Sequence, residues 1–351
     1  MKFYTKQHKH YCGIDLHARS IYLCILNQNG DVLYHRNQRA EAEQFLKAVH
    51  PYREDLVVAV ECMFCWYWIA DLCASEGIPF VLGHALYMKA IHGGKAKNDR
   101  IDARKIAALL RGGMIPMAYV YPSEMRSTRD LFRRRMHFMR KRAELLGHIK
   151  NTNSQYNLPE IGQRISRRCD REKLGANLID RFDDASVRKS MEVDVGLLDY
   201  YDEMLAKLEW YISQNATIHD SAAFFILQSV PGIGKTLAMA ILYEIHSIER
   251  FKRVQDFLSY SRLVKCQKES AGKRYGNSGA KMGNAYLKWA FSEAAVLFLK
   301  GNKRRQKFLA KLEKKHGKGK ALSILAAKIG RAVYFMLRRN HPFDEARFLA
   351  C

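Results

Sequence analysis

The sequence predicts an α/β domain followed by a largely helical remainder. Two observations carry this prediction. Before residue 90, apolar runs of strand length alternate with stretches of helical spacing; beyond residue 120 the apolar residues recur at three- and four-residue steps. Residues 11–17 and 21–27 are strand-like runs, Asn29-Gly30 is a hairpin signal, and 32–35 follows it, so a three-stranded meander is expected. Residues 40–49 have helical spacing through Ala40, Phe45, Leu46 and Val49. The valine-rich run 56–60 is typical of a buried strand, 66–75 of a helix ending at Gly77, and 78–82 of a further strand.

Three antiparallel strands followed by alternating helix and strand is the order of an RNase H-like sheet, although other α/β folds share it. A polar stretch, 95–104, then enters a helix running to Arg111 and stopping at Gly112-Gly113. Ser123 is placed to cap a long basic helix carrying Arg126, Arg129, Arg133, Arg134, Arg135, Arg140, Lys141 and Arg142. Residues 179–218 are helical again, with Leu197, Leu198, Tyr201, Leu205, Leu208 and Ile212 at helical steps. This middle region reads as coiled-coil-like helices packed on each other or on a second subunit. From Phe224 the chain changes character: 229–234 is a turn between helices, 236–245 and 251–262 are helical, 265–283 is polar and rich in glycine and lysine, and 285–299 is a helix. A lysine-dense run to Lys320 and a last helix to Arg339 follow. The expected division is 1–122, 123–220 and 221–351.

Charge is the strongest compositional signal. The 351 residues include 59 Lys and Arg against 35 Asp and Glu, a net charge of +24, while 48% are hydrophobic, as in an ordinary globular protein. Disorder throughout is excluded, and a polyanion is the expected partner: nucleic acid first, an anionic membrane surface second. No apolar run approaches the roughly 18–20 residues of a membrane span, and the basic start lacks the apolar segment of a signal peptide, so a cytoplasmic protein is the expectation. Eight cysteines in so long a chain do not imply disulfides, and the lone Cys62–Cys65 pair lacks the second pair of a zinc site.

Four carboxylates stand out by placement. Asp15 sits inside the first apolar run and Glu61 ends a buried one, while Asp99 and Asp102 are three residues apart at a helix start and share a face. A charge at such strand positions is costly unless paired or ligated. A divalent cation satisfies several carboxylates together; Mg²⁺ suits a few carboxylate oxygens plus water or phosphate oxygens, and paired ions serve phosphodiester chemistry. The plainer reading is a set of strand-end acids and helix-start acids favoured by the macrodipole.

Gly13-Ile14-Asp15, Val60-Glu61 and Lys97-Asn98-Asp99-Arg100-Ile101-Asp102-Ala103-Arg104 resemble the acidic DEDD motifs of bacterial insertion-sequence transposases, a family that includes Piv-type DNA invertases and bridge-RNA-guided recombinases. The segment 229–234, then Phe257-Leu258, Leu263, Glu269-Ser270, Lys281, Gly283 and Leu287 follow the family's C-terminal transposase domain in order. The resemblance implies a RuvC-like fold with Asp15, Glu61, Asp99 and Asp102 as catalytic metal ligands for Mg²⁺, and Ser270 as the nucleophile that forms a phosphoserine intermediate. Ser278 is a rival for that role. It further implies target and donor DNA, a guide RNA, and homodimers assembling to a tetramer with sites composed across subunits. An alcohol needs a base or metal to become a competent nucleophile. Lys265, Lys268, Lys273 and Arg274 are placed to offset phosphate charge. Alternatives are an invertase without an RNA guide and a RuvC-like junction nuclease that cuts with water.

Pro231-Gly232-Ile233-Gly234 resembles the turn of helix-hairpin-helix DNA binders, where glycine backbone N–H groups and a helix N-terminus meet a phosphate, with Lys235 adding charge. Gly234-Lys235-Thr236 mimics the end of a Walker A loop, but its required first glycine is Ser229, which argues against ATP. Arg126, Arg129, Arg133 and Arg134, the 303–320 run, and Lys273, Arg274 and Lys281 are candidate nucleic-acid contacts.

Overall fold

The computed structural model describes residues 2–91, 98–161, 165–278 and 282–350, which separate into two compact units, 1–123 and 124–351. The first unit runs β1 (His10–Leu16), β2 (Ser20–Asn27), β3 (Val32–Arg39), α1 (Ala42–Val49), β4 (Leu56–Glu61), α2 (Tyr67–Ser75), β5 (Phe80–Gly83), α3 (Ala85–Ile91) and α4 (Asp99–Arg111). Its five strands lie in the order β3-β2-β1-β4-β5. The meander β1–β3 is antiparallel, whereas β4 joins β1, and β5 joins β4, in parallel. The Asn29-Gly30 turn forms as expected: Gly30 has φ +92°, and Asn27 accepts from the Asp31 backbone at 2.9 Å.

Both faces of the central strands are covered, which is why 56–60 reads as continuously apolar. One face, formed by Tyr11, Val57, Ala59 and Val81, packs against Ile106, Leu109 and Leu110 of α4. Gly13 lies on that face, and its missing side chain is essential. A Cβ there would sit 2.2 Å from the Ala107 nitrogen and 2.4 Å from the Ala103 carbonyl oxygen, so only glycine lets α4 lie against β1.

Among the described residues, the second unit is helical apart from one hairpin. It comprises α5 (Ser123–Gln155), α6 (Arg168–Leu174), α7 (Ala185–Gln228), α8 (Lys235–Ile245), α9 (Val254–Tyr260), β6 (Cys266–Ser270), β7 (Lys273–Ser278), α10 (Ala285–Phe298), α11 (Lys303–His316), α12 (Lys318–Arg339) and α13 (Glu345–Ala350). Helices α5 and α7 run longer than their periodicity suggests. They pair antiparallel through a ladder of polar contacts: Arg135 with Glu209, Arg142 with Asp202 and His148 with Asp194. Such partners are charged, so apolar spacing underestimates the helices. Helix α7 bends at Asp220 (φ −160°, ψ 85°), whose carboxylate accepts from the Ala223 backbone at 2.8 Å and so caps the next turn. The stretch 265–283, marked in the sequence only by polarity and by glycine and lysine, contains the antiparallel hairpin β6–β7. Strong β propensity is absent from it; the turn Ala271-Gly272, with φ +50° and +74°, supplies the two positive φ values of a tight hairpin.

Candidate active site

Helix α4 brings the acids to the sheet. Asn98 caps it, its side-chain oxygen accepting from the Ile101 backbone at 2.8 Å, and the His35 ring donates Nε2–H to the Arg100 carbonyl at 3.0 Å. With Gly13 admitting the helix two turns further on, its first turn is held at both ends. Strand alternation then puts Asp15 on the face of Tyr11 and Gly13, and Glu61 on the face of Val57 and Ala59, the face that α4 covers. Ile14 pairs with Val60, so Asp15 and Glu61 follow each other's partners at the ends of adjacent parallel strands.

The tightest grouping is Asp15, Asp99 and His17. The His17 Nε2 lies 3.6 Å from Asp15 Oδ2 and 3.6 Å from Asp99 Oδ1. All three offer a ligand atom within 4.8 Å of one another, and among the described residues this is the one such group. Glu61 and Asp102 stand outside that set. Asp102 is nonetheless close enough for its charge to act on Asp15, and it lies 3.6 Å from the Lys105 amine. Burial pushes the Asp15 carboxyl above its ordinary 3.8; the His17 ring opposes this, and the charges of Asp99 and Asp102 add to it. The Asp15 side chain is 16% exposed, against 51% for Asp99, so one acid is sunk in the sheet and the other opens to solvent. Two carboxylates and an imidazole at this spacing are a fitting donor set for a divalent cation. His17 was not legible as a site residue. The available signal was its position two residues after Asp15, where its backbone continues the strand pairing by donating to the Ser20 carbonyl at 2.9 Å.

In the second unit, Ser270 is exposed at the tip of the β6–β7 hairpin, in register with Lys273, while Glu269 pairs with Arg274. The segments on either side of the hairpin are joined to each other: the Asn284 backbone donates to the Tyr260 carbonyl at 2.6 Å and Arg262 donates to the Gly283 carbonyl at 2.8 Å. The backbone of Ser278 lies in β7; Lys281 and Lys97 lie outside the described residues.

The turn 231–234 joins α7 to α8, but its two glycines differ. A Cβ at Gly232 would meet the Phe298 nitrogen at 2.6 Å, so this glycine serves close packing on α10. Gly234 is open and precedes the exposed Lys235 at the start of α8. The basic face of α5 is also divided. Arg126 is buried, and Arg129 and Arg133 turn inward to the fully buried Glu244, Arg133 with bonds of 2.7 and 2.8 Å and Arg129 at 3.4 Å. Arg134 alone of the four is exposed, packed over the Phe138 ring. A solvent-facing role for all four is therefore corrected: a buried carboxylate draws in the cations that neutralise it.

Asp15, Asp99 and His17, brought together where α4 meets the sheet, form a donor group of a kind that could hold a divalent metal. Residues 12–157 match a transposase family of the DEDD IS110 type, and residues 225–310 match the transposase IS116/IS110/IS902 family. The transposase for insertion sequence element IS1111A of Coxiella burnetii (strain RSA 493 / Nine Mile phase I) is 23% identical over 339 residues, spanning 94% of this chain and 90% of that protein. The protein is a DNA transposase of the bacterial insertion-sequence DEDD type.

Proposed function

We propose that this transposase cuts and rejoins DNA with a metal centre built on Asp15, Glu61, Asp99 and Asp102, of which Mg²⁺ is the working ion, and with Ser270 as nucleophile. The observation that carries the reading is the approach of Asp99 to the strand-end Asp15, with His17 3.6 Å from each. The sheet order β3-β2-β1-β4-β5, with an acid at the end of the first strand, supports an RNase H/RuvC-like assignment of the first unit. A bound cation supplies charge neutralisation and lowers the pKa of a coordinated hydroxyl. The protein's part is to hold the acids in position, to present Ser270 beside the turn of a hairpin, and to flank it with Lys273 and Arg274.

Attack by the Ser270 oxygen on a DNA phosphorus forms a phosphoserine ester and frees a deoxyribose hydroxyl; return of a hydroxyl reverses the step and rejoins the strand. On this reading the exposed Gly234 and Lys235, Arg134 and the α11 lysines contact backbone phosphates, and a guide RNA selects target and donor DNA. The exposed apolar row Val193, Leu197, Tyr200, Tyr211 and Ile218 on α7 supports self-association to dimers and tetramers. We also assign separate roles to 1–122, 123–220 and 221–351, the second boundary lying at the α7 bend at Asp220.

Strand exchange between two sites on a plasmid tests the reading. Ser270→Ala should abolish exchange together with a protein–DNA adduct that survives denaturation. Full exchange by that variant removes the serine mechanism, and cleavage with no adduct favours the water-using nuclease. Copurification of an RNA of one defined sequence is expected; exchange in its absence favours the invertase.

A further inference from the structure

We propose that His17 is a direct ligand of the cation at this centre and that it raises the site's affinity for Mn²⁺ above that for Mg²⁺, the working ion of the reading above. The inference rests on the metal-centre reading above and names a donor that the four acids do not include. Its ring is not placed by accident of the surface. Strand pairing continues through the His17 backbone, and position i+2 from Asp15 returns the side chain to the acid-bearing face. There Nε2 is equidistant, at 3.6 Å, from one oxygen of Asp15 and one of Asp99, atoms that come from different elements. These distances exceed a hydrogen bond with good geometry, yet all three donors lie within 4.8 Å of one another, leaving room between them for an ion.

An imidazole changes which ion the site favours. Mg²⁺ is a hard ion that prefers oxygen and keeps much of its water, so a nitrogen donor adds little to its affinity. Mn²⁺ stands above it in acceptance of imidazole and adapts more readily to mixed nitrogen and oxygen sets. The competing account is that His17 is only a counter-cation between two carboxylates. The two accounts predict opposite signs. Removing a ligand weakens Mn²⁺ binding; removing a counter-cation leaves more net negative charge and tightens binding of every divalent ion.

The test is Mn²⁺ titration of the full-length protein, read by loss of the free-ion electron paramagnetic resonance signal, with Mg²⁺ measured by competition. His17→Ala should weaken Mn²⁺ roughly tenfold and Mg²⁺ less than about twofold. The spin-echo spectrum of bound Mn²⁺ should show nitrogen coupling in the unmodified protein and lose it in His17→Ala. His17→Gln, which keeps bulk and polarity, should behave like His17→Ala. Absent nitrogen coupling in the unmodified protein, or unchanged or tighter Mn²⁺ binding in both variants, overturns the proposal. Asp15→Asn separates this failure from that of the underlying reading. If Asp15→Asn weakens both ions while His17→Ala weakens neither, the metal centre stands and the ligand role of His17 falls. If Asp15→Asn changes neither ion, the centre itself is wrong.

Discussion

Asp15 shows what one buried charge does to a fold. Its carboxyl is pushed above the ordinary 3.8 by burial first, with Asp99 and Asp102 adding and His17 opposing. The folded chain therefore holds that proton more tightly than the unfolded chain. By linkage, stability falls as pH rises from the unfolded value through the raised folded one, and the penalty persists at neutral pH. Asp15→Asn should accordingly raise the melting temperature of the metal-free protein at pH 7, with little change at a pH below the ordinary aspartate value. Adding a divalent cation should stabilise the unmodified protein and leave the variant unmoved; thermal unfolding with and without metal checks both. Ala271 makes a separate point at this scale. It occupies a positive-φ position, +50°, next to Gly272 in the hairpin turn that carries Ser270, a conformation in which an alanine side chain is strained.

At the scale of elements, two contacts carry most of the consequence. The β1–α4 approach depends on Gly13. Gly13→Ala would force α4 away from the sheet, because backbone atoms of Ala103 and Ala107 occupy the space. A loss of about 3 kcal/mol is expected by denaturant unfolding, together with loss of metal binding, since Asp99 and Asp102 travel with the helix. The second contact is the Glu244 cluster, which ties α5 to α8 and α10. Burial alone would raise the Glu244 carboxyl, but the hydrogen bond from Arg133, the charges of Arg129 and Arg133 and a bond from Asn284 together hold it below its ordinary 4.5. Asn284, which donates to Glu244 at 2.6 Å, also caps α10 by accepting from Tyr286 and Leu287. Glu244→Ala strands two inward-facing guanidiniums and should cost about 3–5 kcal/mol, with Glu244→Gln losing less. Because the folded value is depressed, this carboxylate's contribution is full above 4.5 and drains away as pH falls through the folded value, so acid unfolding should shift to higher pH in Glu244→Gln.

Over the whole molecule, the net charge of +24 is unevenly available. Part of it is neutralised inside the second unit, by Glu244 on α8, by Glu209 on α7, and by Asp199 and Asp202, which flank the buried Arg171. Helix α11 is different: it has no buried residue, and Lys303, Arg304, Lys307, Lys311, Lys314 and Lys315 are exposed along it. If these meet phosphates, neutralising Lys307, Lys311 and Lys314 together should reduce the slope of log affinity against log salt by about 2–3. Fluorescence anisotropy over a salt series measures this, and an unchanged slope would assign the contacts elsewhere.

Read from the residues alone, the strands, the α4 boundary, the Asn29-Gly30 turn and the placement of the four acids near strand ends and at a helix start were legible, because each depends on local periodicity, a cap or a charge in an apolar run. The family motifs sharpened this further, since they are ordered along the chain. Three features were decided only in three dimensions. The hairpin β6–β7 depends on a two-residue turn rather than on apolar alternation. The inward turn of Arg129 and Arg133 depends on Glu244, more than 100 residues away, which no spacing rule connects to them. His17 depends on Asp99 arriving from another element. A strand shows which face a side chain takes; what it meets on that face is set by the helix packed there, and Gly13 is the residue that lets that helix in.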